Sequence, residues 1–181
     1  RQDLLTGRWV IYAPDRDQRP SEMAPQVARA GALPEKDATC PFCVGNERML
    51  PSIIHELPSG GEHGWRTRVV PNKYPVLRPD VEAAGAARDI YRVAANHGRH
   101  EVVIETPLHN HDIPFMSPQE VESVIETYVG RYNAIYRSDE AIETVVVFRN
   151  HGPRAGTSLR HPHSQIVATS LVPETAAHRG K

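Results

Sequence analysis

The chain has 181 residues, 39% hydrophobic and 24% charged, with a net charge of −1 and no apolar run approaching the roughly 20 residues that a membrane span needs. That length suits one domain with a substantial core or two small ones, and the near-neutral balance supplies no global field to attract a nucleic acid, although local basic clusters could still grip phosphates. The start at Arg1 runs directly into charged and turn-forming residues with no secretory leader, so the expected compartment is the cytoplasm.

In chain order, residues 4–14 read as a turn leading into a short strand, Arg8-Trp9-Val10-Ile11-Tyr12, which Pro14 ends. The loop that follows carries Arg16 and Arg19. Such arginines are ordinarily solvated charge, but beside a phosphate-handling site they become candidate clamps. Residues 21–38 are rich in Ala, Pro, Gly and charge without periodicity, which predicts an exposed connecting segment. Cys40-Pro41-Phe42-Cys43 then sits in a turn-rich setting completed by Gly45-Asn46-Glu47-Arg48. Residues 52–57 could form a strand, 59–64 a turn, and 65–70 a strand by its apolar–polar alternation. Residues 81–89 are small and polar and predict a surface loop. Residues 89–94 and 100–105 predict two arms of a hairpin turning at Asn96-His97-Gly98.

Pro107 to Asp112 is a histidine-bearing loop, and the clearest local signal comes next. Ser117-Pro118-Gln119-Glu120 is a capping box with proline at the first helical position. Behind it Val121, Val124, Ile125, Tyr128, Tyr132 and Ile135 recur at helical spacing and predict a stripe that covers a sheet. The β-branched run Thr144-Val145-Val146-Val147-Phe148 predicts a buried strand. A long glycine-bearing turn from Arg149 to Ser158 feeds a second strand that starts at His161 and is expected to pair antiparallel with the first. The expected fold class is α+β: an antiparallel sheet with one long helix packed on it, in a single domain over 1–181.

On that second strand His161, His163 and Gln165 would share one face, since successive strand residues alternate. A face of polar residues turned to water is the plain alternative to a site. The cysteine pair could be a redox couple or half of a zinc site, and its turn-rich surroundings favour zinc. Two thiolates need two further ligands. His109, just after a strand, and His161 are candidates, with His100, His111 and His151 as rivals. His163 and Gln165 then remain for chemistry: a neutral imidazole is a nucleophile near neutral pH, and a carboxamide N–H can meet a phosphoryl oxygen as charge develops. Ser158, Gly156 and the amides of the glycine turn could line the other oxygens.

Taken together, Cys40-Pro41-Phe42-Cys43 with Gly45-Asn46-Glu47-Arg48, then Pro107-Leu108-His109, then Asn150 through the glycine turn to His161-Pro162-His163-Ser164-Gln165 resemble the amino-terminal half of galactose-1-phosphate uridylyltransferases, of the histidine-triad superfamily. The resemblance implies a histidine-triad-like fold and ping-pong transfer of UMP from UDP-glucose to galactose 1-phosphate through a covalent uridylyl-histidine. It implies His163 as nucleophile, Gln165 as phosphate-binding glutamine, and Cys40, Cys43, His109 and His161 as ligands of Zn2+. Arg16, Arg19, Asn150 and Ser158 match phosphate-contacting residues, and Asn72 matches a nucleoside-contacting asparagine. The family is built from two homologous halves and commonly dimerises with sites that straddle subunits, so a homodimer is expected. Two positions depart from the usual pattern. Ser164 replaces a glycine, as in the related ADP-glucose phosphorylases, and Lys73 stands where an acidic residue often follows the asparagine. The alternatives are therefore an ADP-sugar or dinucleoside polyphosphate phosphorylase, a hydrolase, or a non-enzymatic zinc-stapled nucleotide-binding module.

Overall fold

The computed structural model describes residues 1–13, 33–82, 85–88, 91–152, 155, 157 and 159–173. Arg16, Arg19, Gly156 and Ser158 lie outside this set. Among the described residues the architecture is α+β, as expected: a five-stranded antiparallel sheet, one long helix, and a small second sheet that the sequence did not suggest. In chain order the strands are β1 (Gln2–Asp3), β2 (His55–Pro58), β3 (Trp65–Pro71), β4 (Gly85–Arg88), β5 (Tyr91–Ala94), β6 (Gly98–Ile104), β7 (Thr144–Phe148) and β8 (His163–Thr169), with α1 spanning Pro118–Ser138. The main sheet runs β2-β3-β6-β8-β7 and the small one β1-β5-β4.

The helix begins where its chemistry requires. Ser117 Oγ accepts from the Glu120 N–H at 3.3 Å and Glu120 Oε2 accepts from the Ser117 N–H at 2.7 Å, so two otherwise unpaired amides are satisfied reciprocally. Its buried face is rotated from the predicted stripe. Ser123, Val124, Thr127 and Ile135 are buried, while Ile125 and Tyr132 are exposed. The reason is polar pairing across the interface: Thr127 Oγ1 lies 2.5 Å from Thr67 Oγ1 and Arg131 makes a two-pronged ion pair with buried Glu101, so polar residues occupy part of the contact.

The two faces of the main sheet are covered differently. On one, Val69, Val103, Ile166 and Ala168 pack with Ile135 and Ile142 beneath α1. On the other, Val70, Val102 and Ile104 pack against Cys40, Phe42 and Cys43. The cysteine turn is thus the second lid of the core.

Several expectations are corrected. Residues 8–12 form no regular strand; the chain folds back through a turn at Gly7 (φ 69°) and makes one isolated bridge, Gln2 to Trp9. Residues 85–88 are strand β4 rather than loop, because their backbone pairs along β5 although Gly85, Ala86 and Ala87 have low β-propensity. The predicted hairpin is absent: β5 belongs to the small sheet and β6 to the large one. Residues 96–98 instead bond to Arg78, with Arg78 N–H to Asn96 O at 2.9 Å and Gly98 N–H to Arg78 O at 3.0 Å, so this segment crosses between sheets instead of reversing. β7 is an edge strand with Val146 and Val147 exposed, not a buried one, although it pairs antiparallel with β8 as expected. Finally β8 starts at His163, two residues after the expected start.

No described helix is long and apolar enough to cross a membrane.

Gly98 fixes the join between the sheets. It has φ 145°, and a Cβ added there would meet the Ala168 carbonyl oxygen at 2.0 Å. Gly98→Ala is expected to lower stability by on the order of 2–4 kcal/mol, since both backbone strain and a backbone clash must be relieved. Urea unfolding checks this; an unchanged midpoint would show that the crossover does not constrain the fold.

Candidate metal centre and nucleophile

Cys40 and Cys43 are held by a tight turn, with Cys43 N–H to Cys40 O at 3.2 Å and Asn46 Nδ2 donating to Cys40 O at 2.8 Å. The turn lies against the face of the sheet where the chain enters β8. There Cys40 Sγ is 3.8 Å and Cys43 Sγ 3.6 Å from His161 Nδ1, and Cys43 Sγ is 3.5 Å from His109 Nδ1. The four ligand atoms all lie within 4.8 Å of one another, and all four residues are buried. A tetrahedral ion with metal–sulfur bonds near 2.3 Å and metal–nitrogen bonds near 2.05 Å requires S···N edges of about 3.6 Å. The observed spacings fit that requirement.

The protonation chemistry agrees. His161 Nε2–H donates to the Thr106 carbonyl at 2.8 Å, which turns the Nδ1 lone pair toward the sulfurs. Burial pushes the His161 imidazole down to about 4 and lowers His109 as well, so both rings are neutral ligands. Burial pushes the Cys40 thiol up to about 12; a bare thiolate would be costly here, and a bound cation offsets that cost. The Asp37 N–H, 3.3 Å from Cys43 Sγ, adds a donor to the same sulfur. The rival histidines go elsewhere: His111 Nε2 sits 3.2 Å from Glu120, His151 Nδ1 sits 3.2 Å from Asp112, and His100 bonds to Gln165.

His163 is the first residue of β8. It pairs with Ile104, and Gln165 pairs with Val102, so both side chains emerge on the cysteine-turn face while Ser164 and Ile166 are buried toward α1. His161 precedes the strand and turns into the cysteine cluster on this same side of the sheet, so it joins the cluster while His163 and Gln165 stand on the strand itself. His163 Nδ1 lies 2.8 Å from the His161 carbonyl oxygen. Because a carbonyl only accepts, Nδ1 carries the proton and the ring lone pair is on Nε2. Phe42 stands edge-on to both rings, with centroids 5.9 Å from His161 and 5.4 Å from His163. One aromatic from the cysteine turn therefore braces the nucleophile candidate.

His163 lines a cleft of about 200 Å³ together with Asn150, Arg149, Asp112, His151 and Arg160. Asn150 is thus brought to the site as expected. Asn72 is brought to Gln165, with Nδ2 3.3 Å from Gln165 Oε1. Sequence reasoning missed Glu105 and Arg149. The Glu105 carboxylate is fully buried and accepts from Arg149 Nε at 3.0 Å, from the Tyr128 hydroxyl at 3.1 Å and from Ser164 Oγ. Burial, with the Glu105 charge beside it, holds the Tyr128 phenol above its ordinary value and keeps it a donor. Arg149 reaches Asp112 with its other arm at 2.5 Å. This network ties the strand carrying His163 to the turn carrying Asn150. The legible signal was a carboxylate at each end of Glu101-Val102-Val103-Ile104-Glu105, because acids inside an apolar strand need cationic or hydroxyl partners.

An α+β sheet that holds a four-ligand thiolate–imidazole cluster behind one histidine and presents a second histidine to a cleft defines a recognisable class. Residues 1–173 match the family model described as galactose-1-phosphate uridyl transferase, N-terminal domain, and the chain belongs to that family. It is 33% identical over 99% of its length to an ADP-glucose phosphorylase of Arabidopsis thaliana, covering 50% of that protein. It is 31% identical over 96% of its length to a probable galactose-1-phosphate uridylyltransferase of Drosophila melanogaster, covering 47% of it. Among solved structures, an Arabidopsis thaliana ADP-glucose phosphorylase with bound ADP-glucose superposes with a TM-score of 0.67 at 30% identity, over 99% of this chain and 51% of the other. The chain spans about half the length of the curated relatives it matches.

The cluster makes a direct prediction. Cys40→Ser should abolish stoichiometric metal in elemental analysis and lower the thermal midpoint, because one face of the core is closed by this turn. Chelation of the unaltered protein should do the same. Unchanged metal content in the variant would remove Cys40 from the ligand set.

Proposed function

We propose that this chain carries the nucleophilic site of a nucleotidyltransferase, with His163 forming a covalent nucleotidyl intermediate. The observation that supports it most is the His163 Nδ1–H bond to the His161 carbonyl, which leaves the lone pair on Nε2 of a ring at the cleft wall. In the first half-reaction Nε2 attacks the nucleoside-bearing phosphorus of a nucleotide sugar in line. An N–P bond forms, the P–O bond to the sugar phosphate breaks, and the sugar 1-phosphate leaves with the bond's electron pair. Positive charge develops on the imidazole and is held by the carbonyl acceptor at Nδ1. In the second half an acceptor phosphate oxygen attacks the same phosphorus, and the N–P bond returns its electrons to Nε2. Gln165 supplies an N–H to a phosphoryl oxygen as charge builds, and Asn150 lines the same cleft as His163. Arg16, Arg19 and Ser158 are further candidates for phosphate contacts in this reading.

The ion we assign to Cys40, Cys43, His109 and His161 is zinc, since a closed Cys₂His₂ tetrahedron suits it. Bound there, it supplies structural closure rather than an open coordination position. The donor is UDP-glucose and the acceptor galactose 1-phosphate in the first reading, and the working unit is a homodimer. A second reading, transfer of AMP from an ADP-sugar to phosphate, is favoured by the match to the ADP-glucose phosphorylase.

Intact mass after brief incubation with UDP-glucose or ADP-glucose, without acceptor, tests the proposal. A UMP increment on the peptide containing His163 is expected, and it should vanish in His163→Gly while metal content is retained. An AMP increment instead selects the second reading. No increment with either donor, in metal-replete protein under single-turnover quench, would leave a nucleotide-binding module.

A further inference from the structure

Gln165 can donate to a phosphoryl group only if its amide, not its carbonyl, faces the ligand. Two backbone amides fix that choice. The Val76 N–H, always a donor, lies 3.1 Å from His100 Nδ1, so Nδ1 must accept and the ring proton must be on Nε2. His100 Nε2–H then meets Gln165 Oε1 at 2.9 Å. Independently, the Tyr74 N–H donates to Asn72 Oδ1 at 2.9 Å, which makes the other end of that carboxamide the NH₂ group. Asn72 Nδ2 in turn lies 3.3 Å from the same Gln165 Oε1. With Gln165 flipped, its NH₂ would face two N–H donors, leaving buried or half-buried donors unmatched.

His100 is held rigidly enough for this task. It is 5% exposed, sits in the register of β6 opposite Val167, and its carbonyl accepts the Asn72 N–H at 2.8 Å, so both donors onto Gln165 belong to one connected unit. We propose that His100 and Asn72 are positioning residues that lock Gln165 with its carbonyl turned inward and its amide N–H toward the transferred phosphoryl group. This rests on the reading of Gln165 as the phosphoryl-binding carboxamide, and it gives Asn72 a role different from the nucleoside contact implied by family resemblance.

Two measurements test it. The first needs no nucleotide: ¹³C and ¹⁵N shifts of histidine-labelled protein should show His100 as the Nε2–H tautomer, and an Nδ1–H tautomer would overturn the relay. In the second, single-turnover nucleotidylation is followed for variants with confirmed metal content. His100→Phe keeps a planar ring but removes the donor, and should slow adduct formation by about 10- to 100-fold with donor half-saturation little changed, as expected for loss of an interaction made mainly in the transition state. His100→Gln, which can still donate, should recover much of that rate. A wild-type rate in His100→Phe would overturn the proposal, as would equal slowing in both variants.

Gln165→Glu and Gln165→Leu keep the proposal falsifiable if His100→Phe unfolds. Glutamate offers oxygens to both donors whereas leucine strands them, so Gln165→Glu should have the higher thermal midpoint while both lose transfer; the reverse order of midpoints would overturn the assigned polarity. If the unaltered protein forms no adduct, the His163 nucleophile reading fails, and the tautomer and the order of midpoints still decide the orientation of Gln165.

Discussion

The antiparallel pairing of β6 with β8 is the constraint on which the rest depends. Seven residue pairs, from Gly98↔Thr169 to Ile104↔His163, set which side chains face the cysteine turn and which face the helix. A slip of one residue would turn His163 and Gln165 into the helix interface and bring Ser164 and Ile166 to the cysteine-turn face. Both ends of this ladder resist such a slip. At one end Gly98 packs its bare Cα against the Ala168 carbonyl, and at the other the Glu105 N–H bonds to the Pro162 carbonyl at 3.2 Å. Chemistry and fold are therefore specified by the same backbone register.

The helix, the strand at β3 and the cysteine half of the cluster could be read from the sequence because each has a short-range cause, whereas the choice of His109 and His161 among the rival histidines comes from the family resemblance. Ser117 to Glu120 is a local hydrogen-bonding device, and Cys40 and Cys43 are two residues apart in one turn. What could not be read depends on non-local partners. The arms at 89–94 and 100–105 carry hairpin chemistry between them, yet Arg78, far outside that window, takes the hydrogen bonds of the connecting segment. Val146 and Val147 have strong strand propensity whatever their neighbours, and nothing local tells that β7 lies at the sheet edge. The rotation of the helix face has the same origin, because Thr127 and Arg131 find partners in Thr67 and Glu101 on separate strands.

Within the candidate site, residue types were legible and their orientations were not. That His163 and Gln165 share a face follows from the period of a strand. Which nitrogen of His163 holds the proton follows from the His161 carbonyl, and which end of Gln165 points outward follows from the amides of Val76 and Tyr74. Main-chain groups have fixed polarity, whereas imidazoles and carboxamides can present either, so the backbone decides. Glu105 works on a longer scale: a buried carboxylate with three donors joins the strand of His163 to the cleft-lining turn at Arg149.

His161 serves two chemistries through two different parts of one residue. Its imidazole faces the cysteines, and its carbonyl oxygen holds the proton of His163. The side chain's place in the cluster is what pins the peptide plane from which that carbonyl projects. Position 161 is consequently constrained twice over, since a substitution that kept the His163 tautomer would still have to reproduce the anchoring. The four-residue cluster and the His163 ring are in this sense one structural unit, and a variant that lost the His161 anchor would need another hold on that peptide to keep the same tautomer at His163.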